Sequence, residues 1–203
     1  VFGDVICDNY IFGKVKNWHP EASAPIFQPY KREQRLGGAA NVFNLIASNC
    51  GNVDICSVVG DDLEGRFIKS KICEYNKDSD LILIDKSRRT TKKTRFIDDM
   101  NKYLIRVDEE DTAEISIVIF NELKNKIIKK LNQYEILIIS DYNKGVVDKK
   151  IEEIINLFTS NNKIVLADPK SEKIEKYSGS FLIKPNIKEF FRFDTGTKKG
   201  IRN

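Results

Sequence analysis

Apolar runs alternate with amphipathic stretches along the chain, and a polar cluster follows nearly every run. Residues 1–6 read as the tail of a buried strand, closed by Cys7-Asp8. Residues 53–59, 81–84, 164–167 and 181–184 read as further strands, and 135–140 is a continuous apolar run of the kind parallel sheets bury. Between them lie helical patterns: 63–75 with Phe67, Ile68 and Ile72 inward, 114–132 with Ile115, Ile119, Leu123, Ile127 and Leu131 spaced by four, and 149–161. A helix carrying Val42, Leu45 and Ile46 follows Gly37-Gly38 and ends at Cys50-Gly51. Two regions break the alternation. Residues 10–15 and 25–30 are short, aromatic and strand-like around a turn at Trp18-His19-Pro20-Glu21, and their prolines confine them to sheet edges. Residues 91–98 and 102–108 read as a hairpin around Asp99-Met100-Asn101. The pattern predicts an α/β fold, a doubly wound and mostly parallel sheet, with a small inserted β-sheet.

Composition narrows the classes. The chain has 203 residues, 41% hydrophobic and 32% charged, enough for one sizeable core. Its net charge of +4 comes from 34 basic and 30 acidic residues, which does not call for a nucleic-acid partner. Cys7, Cys50, Cys56 and Cys73 share no CxxC spacing, and His19 is the single histidine, which argues against zinc and for free thiols in a reducing cytoplasm. No signal peptide, apolar run of membrane length or internal repeat is visible. The first residue is Val inside an apparent strand, so the chain reads as a fragment or a trimmed chain.

The candidate chemistry sits at strand ends. Gly37-Gly38-Ala39-Ala40-Asn41 places two glycines before a helix, where a ligand can approach bare backbone and the helix dipole; the alternative is a tight turn whose glycines merely permit positive φ. Asp4 and Asp8 lie where an α/β crevice opens, and a carboxylate there can accept sugar hydroxyls; turn and cap chemistry competes for Asp8. Residues 86–95 form the most basic stretch, readable as a solvated edge, a nucleic-acid patch or a clamp for a substrate phosphate. His19, beside Pro20 in a turn, reads as structural.

Together these clusters mark a family. Gly3-Asp4 with Asp8, Pro20-Glu21-Ala22, Gly37-Gly38-Ala39-Ala40-Asn41, Gly60-Asp61-Asp62, Lys93-Thr94-Arg95, Arg106-Val107-Asp108, Ser140-Asp141-Tyr142 with Lys144-Gly145, Asp168-Pro169-Lys170, and Asn186 with Glu189 occur in an order that resembles the ribokinase-like (PfkB) carbohydrate kinases. The resemblance runs from residue 1 to about 190 and is strongest to the branch acting on D-glycero-β-D-manno-heptose 7-phosphate, in many species the N-terminal half of a bifunctional ADP-heptose synthase. It implies transfer of a phosphoryl group from Mg2+-bound ATP to O1 of that sugar, toward lipopolysaccharide precursors. It implies that Asp8, Gly37, Gly38 and Asn41 hold sugar hydroxyls and that Lys93, Arg95 and Arg106 meet the sugar phosphate. Asp141 and Lys144 would lie beside sugar and phosphates. Asp168, Lys170, Asn186 and Glu189 would line the ATP and magnesium region, Glu189 through metal-bound water. The inserted sheet, residues 10–34 and 92–107, would be a lid that pairs two subunits in a homodimer.

Departures are informative. Asn143 stands where a glycine is expected, and Trp18-His19 where a smaller pair is usual. The family's Gly-Ala-Gly-Asp motif, source of the catalytic base, is absent, so no catalytic residue is assigned. Asp194-Thr195-Gly196-Thr197 resembles only its lead-in, and the tail after Phe190 reads as a truncation or frame error. The rival readings are a kinase for another sugar phosphate and a non-catalytic sugar- or nucleotide-binding module.

Overall fold

The computed structural model describes residues 1–22, 24–75, 80–170 and 173–193. Residues 194–197 therefore lie outside the described residues. Strands β1 (Phe2–Gly3), β8 (Ile136–Ser140), β9 (Ile164–Asp168) and β10 (Leu182–Ile183) form a parallel sheet in the order β1-β8-β9-β10. The parallel pair β4 (Ser57–Val59) and β5 (Ile82–Ile84) joins it through a bridge from Phe2 to Cys56. Neighbouring residues Val58 and Val59 face different apolar clusters. One cluster holds the buried faces of α3 (Ile117–Lys130) and α4 (Ile151–Thr159), with Phe120, Leu123, Ile154 and Ile155 against Phe2 and Ile139. The other holds α1 (Ala39–Cys50) and α2 (Leu63–Cys73), with Phe43, Ile68 and Ile72. Burial on both faces is what the continuous apolar strands require. This is the doubly wound, mostly parallel architecture that the alternation predicts.

Helix limits follow capping. Ser116 caps α3 by accepting from the Ile119 N–H at 3.3 Å, so the helix starts later than residue 114. Asp62 caps α2, accepting from Gly65 N–H at 2.8 Å; its second oxygen accepts from Thr90 N–H at 2.7 Å. On α1 the buried face is Ala39, Ala40 and Phe43, whereas Leu45 is exposed. Cys7 and Cys56 are buried free thiols, each pushed up to about 12 first by burial.

The second sheet differs most from expectation. Its order is β3-β2-β6-β7, and β2 (Val5–Trp18) and β3 (Pro25–Gly38) each run 14 residues, far longer than the short aromatic segments suggested. The apparent strand 1–6 changes sheets at Asp4: Phe2–Gly3 pair with β8, while Val5 onward pairs with β3. Strand β6 (Lys92–Ile97) lies parallel to β2, and β7 (Tyr103–Glu109) returns antiparallel. Among the described residues no helix is long and apolar enough to cross a membrane.

Candidate functional site

Close approach within the protein accounts for both members of the glycine pair. Gly38 has φ +57, and a Cβ there would come within 2.4 Å of the Asp4 carbonyl oxygen. A Cβ on Gly37 would come within 2.3 Å of the Asp8 carboxylate. Gly38 therefore makes the turn from β3 into α1, and Gly37 leaves room for Asp8. The Ala39 N–H donates to the Asp4 carbonyl at 2.9 Å, so the start of α1 is fastened to the residue between β1 and β2. Asp8, Arg35 and Asn41 border a cleft of about 480 Å³, which Phe67, Lys71 and Tyr75 also line.

Strand register places the charged residues. Asp8 pairs with Arg35 and Lys93, Tyr10 with Glu33 and Arg95, Phe12 with Lys31, and Lys93 and Arg95 with Asp108 and Arg106. Paired residues share a face. The predicted phosphate residues Lys93, Arg95 and Arg106 are thus brought together with Asp8, and each is already engaged. Arg95 bonds Asp8 at 2.5 Å, Lys93 lies 3.0 Å from Asp108, and Arg106 donates to Asp108 at 2.8 Å. The Asp108 carboxyl is held below its ordinary range: burial opposes ionisation, and the Lys93 and Arg106 bonds outweigh it. Lys144 Nζ reaches Glu110 at 2.7 Å, and Lys93 approaches the same carboxylate at 3.8 Å.

Asp4 is fully engaged by the protein itself. Its carboxylate accepts N–H bonds from Tyr142 at 2.8 Å, Lys144 at 3.2 Å and Val146 at 2.9 Å. Burial pushes its carboxyl up, against the pull of those donors. It shapes the loop that carries Asp141 and Lys144. In that loop Asn143 has φ +56, the left-handed conformation that explains why glycine or asparagine is needed there. Asp141 is buried, with its carboxylate on Lys176 at 2.6 Å, on the Tyr177 hydroxyl and on the Asn143 N–H.

At the neighbouring strand ends, the Asp141 N–H donates to the Asp168 carbonyl at 3.1 Å. Asp168 stands at the end of β9, where its residue surface reaches solvent but desolvation of the carboxyl raises it, with the charge of Glu189 adding to the rise against Lys184 and Lys170. Asn186 and Glu189 form a reciprocal cap on α5 (Ile187–Phe193). Asn186 Oδ1 accepts from Glu189 N–H at 3.0 Å, and Glu189 Oε2 accepts from Asn186 N–H at 2.9 Å. Lys170 Nζ takes the other Glu189 oxygen at 3.0 Å. Burial pushes Glu189 up, but the Asn186 and Lys170 bonds outweigh it and hold the carboxyl below its ordinary range. Tyr142 joins the two halves: burial first, then the charges of Asp168, Asp8 and Glu189, raise its phenol. His19 accepts from Glu21 N–H at 3.2 Å within its turn, the structural role its setting suggests. Tyr10, Arg35 and Lys176 were not singled out by sequence. Tyr10 and Arg35 join the site only through strand register, and Lys176 only through its contact with Asp141, so no spacing in the chain marks them.

A family model described as pfkB family carbohydrate kinase matches residues 1–195. The bifunctional protein HldE of Helicobacter pylori strain J99 is 41% identical over 190 residues, covering 93% of this chain and 41% of that relative. HldE of Helicobacter hepaticus is 38% identical over 191 residues, covering 93% of this chain and 39% of its own length. The chain thus spans about two fifths of the relatives it matches. Among solved structures, Arabidopsis thaliana ribokinase complexed with ribose and ATP superposes with a TM-score of 0.68 at 13% identity, over 94% of this chain and 60% of that one. A Methanocaldococcus jannaschii nucleoside kinase superposes with a TM-score of 0.61 at 18% identity, over 98% of this chain and 64% of that one. The fold is ribokinase-like.

Proposed function

We propose a function from one premise: the chain belongs to the pfkB family of carbohydrate kinases. It is the sugar-binding portion of a cytoplasmic kinase that phosphorylates O1 of D-glycero-β-D-manno-heptose 7-phosphate at the expense of ATP. The observation that carries this reading is the cleft in which Asp8 and Asn41 meet under a basic sheet face. Asp8 and Asn41 accept and donate to sugar hydroxyls beside the turn that Gly37 and Gly38 make, and the summed positive charge of Lys93, Arg95 and Arg106, each already ion-paired, draws an anionic sugar toward the cleft. Asp141 and Lys144 stand on the loop that Asp4 holds, next to the strand that carries Asp8, and that connection supports assigning them to the sugar and phosphate region. The second sheet acts as the lid, and its exposed Val15, Trp18, Ile105 and Val107 suit a homodimer contact.

Asp168, Lys170, Asn186 and Glu189 line the proposed nucleotide side. Among the described residues no three His, Cys, Asp or Glu side chains are placed to cage a metal ion. Both Glu189 oxygens already have partners, so the donor set fits a hydrated Mg2+ carried mainly by phosphates, which Glu189 would orient through water. A metal ion held there would supply positive charge against the charge that develops on the transferred phosphoryl group. Lys170 adds a positive charge on that side.

Isothermal titration of the chain with heptose 7-phosphate, fructose 6-phosphate, ribose and ATP tests the reading. Tightest sugar binding to heptose 7-phosphate is expected. Preference for fructose 6-phosphate would indicate another sugar-phosphate kinase, and ribose binding as tight as either would remove the phosphate from the proposal.

A further inference from the structure

Arg35 stands on the β3 wall of the cleft, opposite Asp8 in register. Its guanidinium carbon lies 4.5 Å from the Tyr10 ring centroid, and that of Arg95 lies 5.2 Å from the same ring. The two arginines differ in what they can still bind. Arg95 is 18% exposed and paired with Asp8, so turning it toward an anion would uncover a carboxylate beside that anion. Lys93 and Arg106 share Asp108. Lys71, the other basic residue lining the cleft, is held by Glu74 at 2.7 Å. Arg35 is 56% exposed, and its counter-ion Glu33 also serves Lys31, so this corner carries excess positive charge. The Glu33 bond engages Nη2, and a guanidinium has five N–H donors. Stacking on Tyr10 orients its plane, and a guanidinium matches a phosphate with two parallel bonds.

We propose that Arg35 is the specificity-determining residue for a phosphate monoester on the sugar, gripping it from the β3 wall while Asp8 and Asn41 take hydroxyls. This rests on the sugar-kinase reading of the cleft. It makes Asp8 a dual element, a hydroxyl acceptor whose charge Arg95 offsets so that a dianion can lie nearby.

The test is titration of the intact chain and its Arg35→Gln variant with three probes: heptose 7-phosphate, the same heptose without phosphate, and ATP. Arg35→Gln should weaken heptose 7-phosphate about ten-fold or more while the neutral heptose and ATP change by less than about two-fold. Arg35→Lys should recover part of the loss, since it restores charge but not the paired bonds, and it carries the same comparison if the Gln variant fails to fold. Equal weakening of both sugars would make Arg35 a wall of the cleft and overturn the proposal. Weakening of ATP would place it on the nucleotide and overturn it likewise. Unchanged preference for the phosphorylated sugar in the variant would overturn the proposal and leave the sugar-phosphate reading standing. No preference in the unaltered chain would overturn both.

Discussion

Asn143 and Asp4 show what a single residue can and cannot reveal before the fold is known. Asn143 looked like a departure, yet its φ of +56 is a conformation asparagine tolerates better than any other side chain but glycine. Asn143→Ala is expected to cost about 1 kcal/mol. Asn143→Gly should stay within about 0.5 kcal/mol of the natural chain. Urea unfolding midpoints of the three proteins check this, and an alanine variant as stable as the natural protein would contradict it. The glycine pair was legible because positive φ and close approach demand glycine whatever surrounds it. Asp4 was half legible: a carboxylate inside an apolar strand must have partners. That the partners are three N–H groups some 140 residues away could not be read from its neighbours.

The elements that periodicity marks clearly are the buried ones. Strand β8 and helices α2, α3 and α4 each have one dominant apolar face or a continuous apolar run, so their limits shift only by capping residues such as Ser116 and Asp62. Strands β2 and β3 were cut short because most of their side chains beyond residue 13 face solvent and carry charge, and because register shifts at Phe12/Gly13 and Val15/Asn17 interrupt the alternation. Helix α5 has only seven residues and depends on its reciprocal cap. Glu189 has a folded pKa below its unfolded value. Its stabilisation is therefore complete above the ordinary glutamate range and disappears as pH falls through the depressed folded value. Glu189→Gln should make the protein less stable at neutral pH and flatten the loss of stability on acidification below about pH 5. Melting temperatures of both proteins from neutral pH to pH 3 would reveal the difference, and parallel curves would show that Glu189 titrates alike in the folded and unfolded chain.

For the whole molecule, the absent Gly-Ala-Gly-Asp motif leads to the expectation that this chain alone binds sugar but does not phosphorylate it. A positioned general base contributes about 10²–10⁴-fold to such a transfer, and one preorganised donor about 10²–10³-fold. Coupled ADP release with Mg-ATP and heptose 7-phosphate should stay at background. Turnover of about one per second, typical of modest enzymes, would mean that another carboxylate serves as base. The paired strands β2 and β3 add a mechanical consequence. Val5 and Gly38 are paired at one end, where Asp4 and Ala39 fasten both strands to the parallel sheet, and Trp18 and Pro25 are paired at the other. That is a cantilever, clamped at its root and free at its tip, with soft points at the two register shifts. A loaded cantilever hardly moves beside its clamp and sweeps widest at its end. Amide hydrogen exchange should therefore be slow at Cys7 and Leu36 and fast at Lys16 and Ile26, and a uniform rate along both strands would refute the picture. On this account, Asp8, Arg35 and Gly37 keep their spacing however far Trp18 swings.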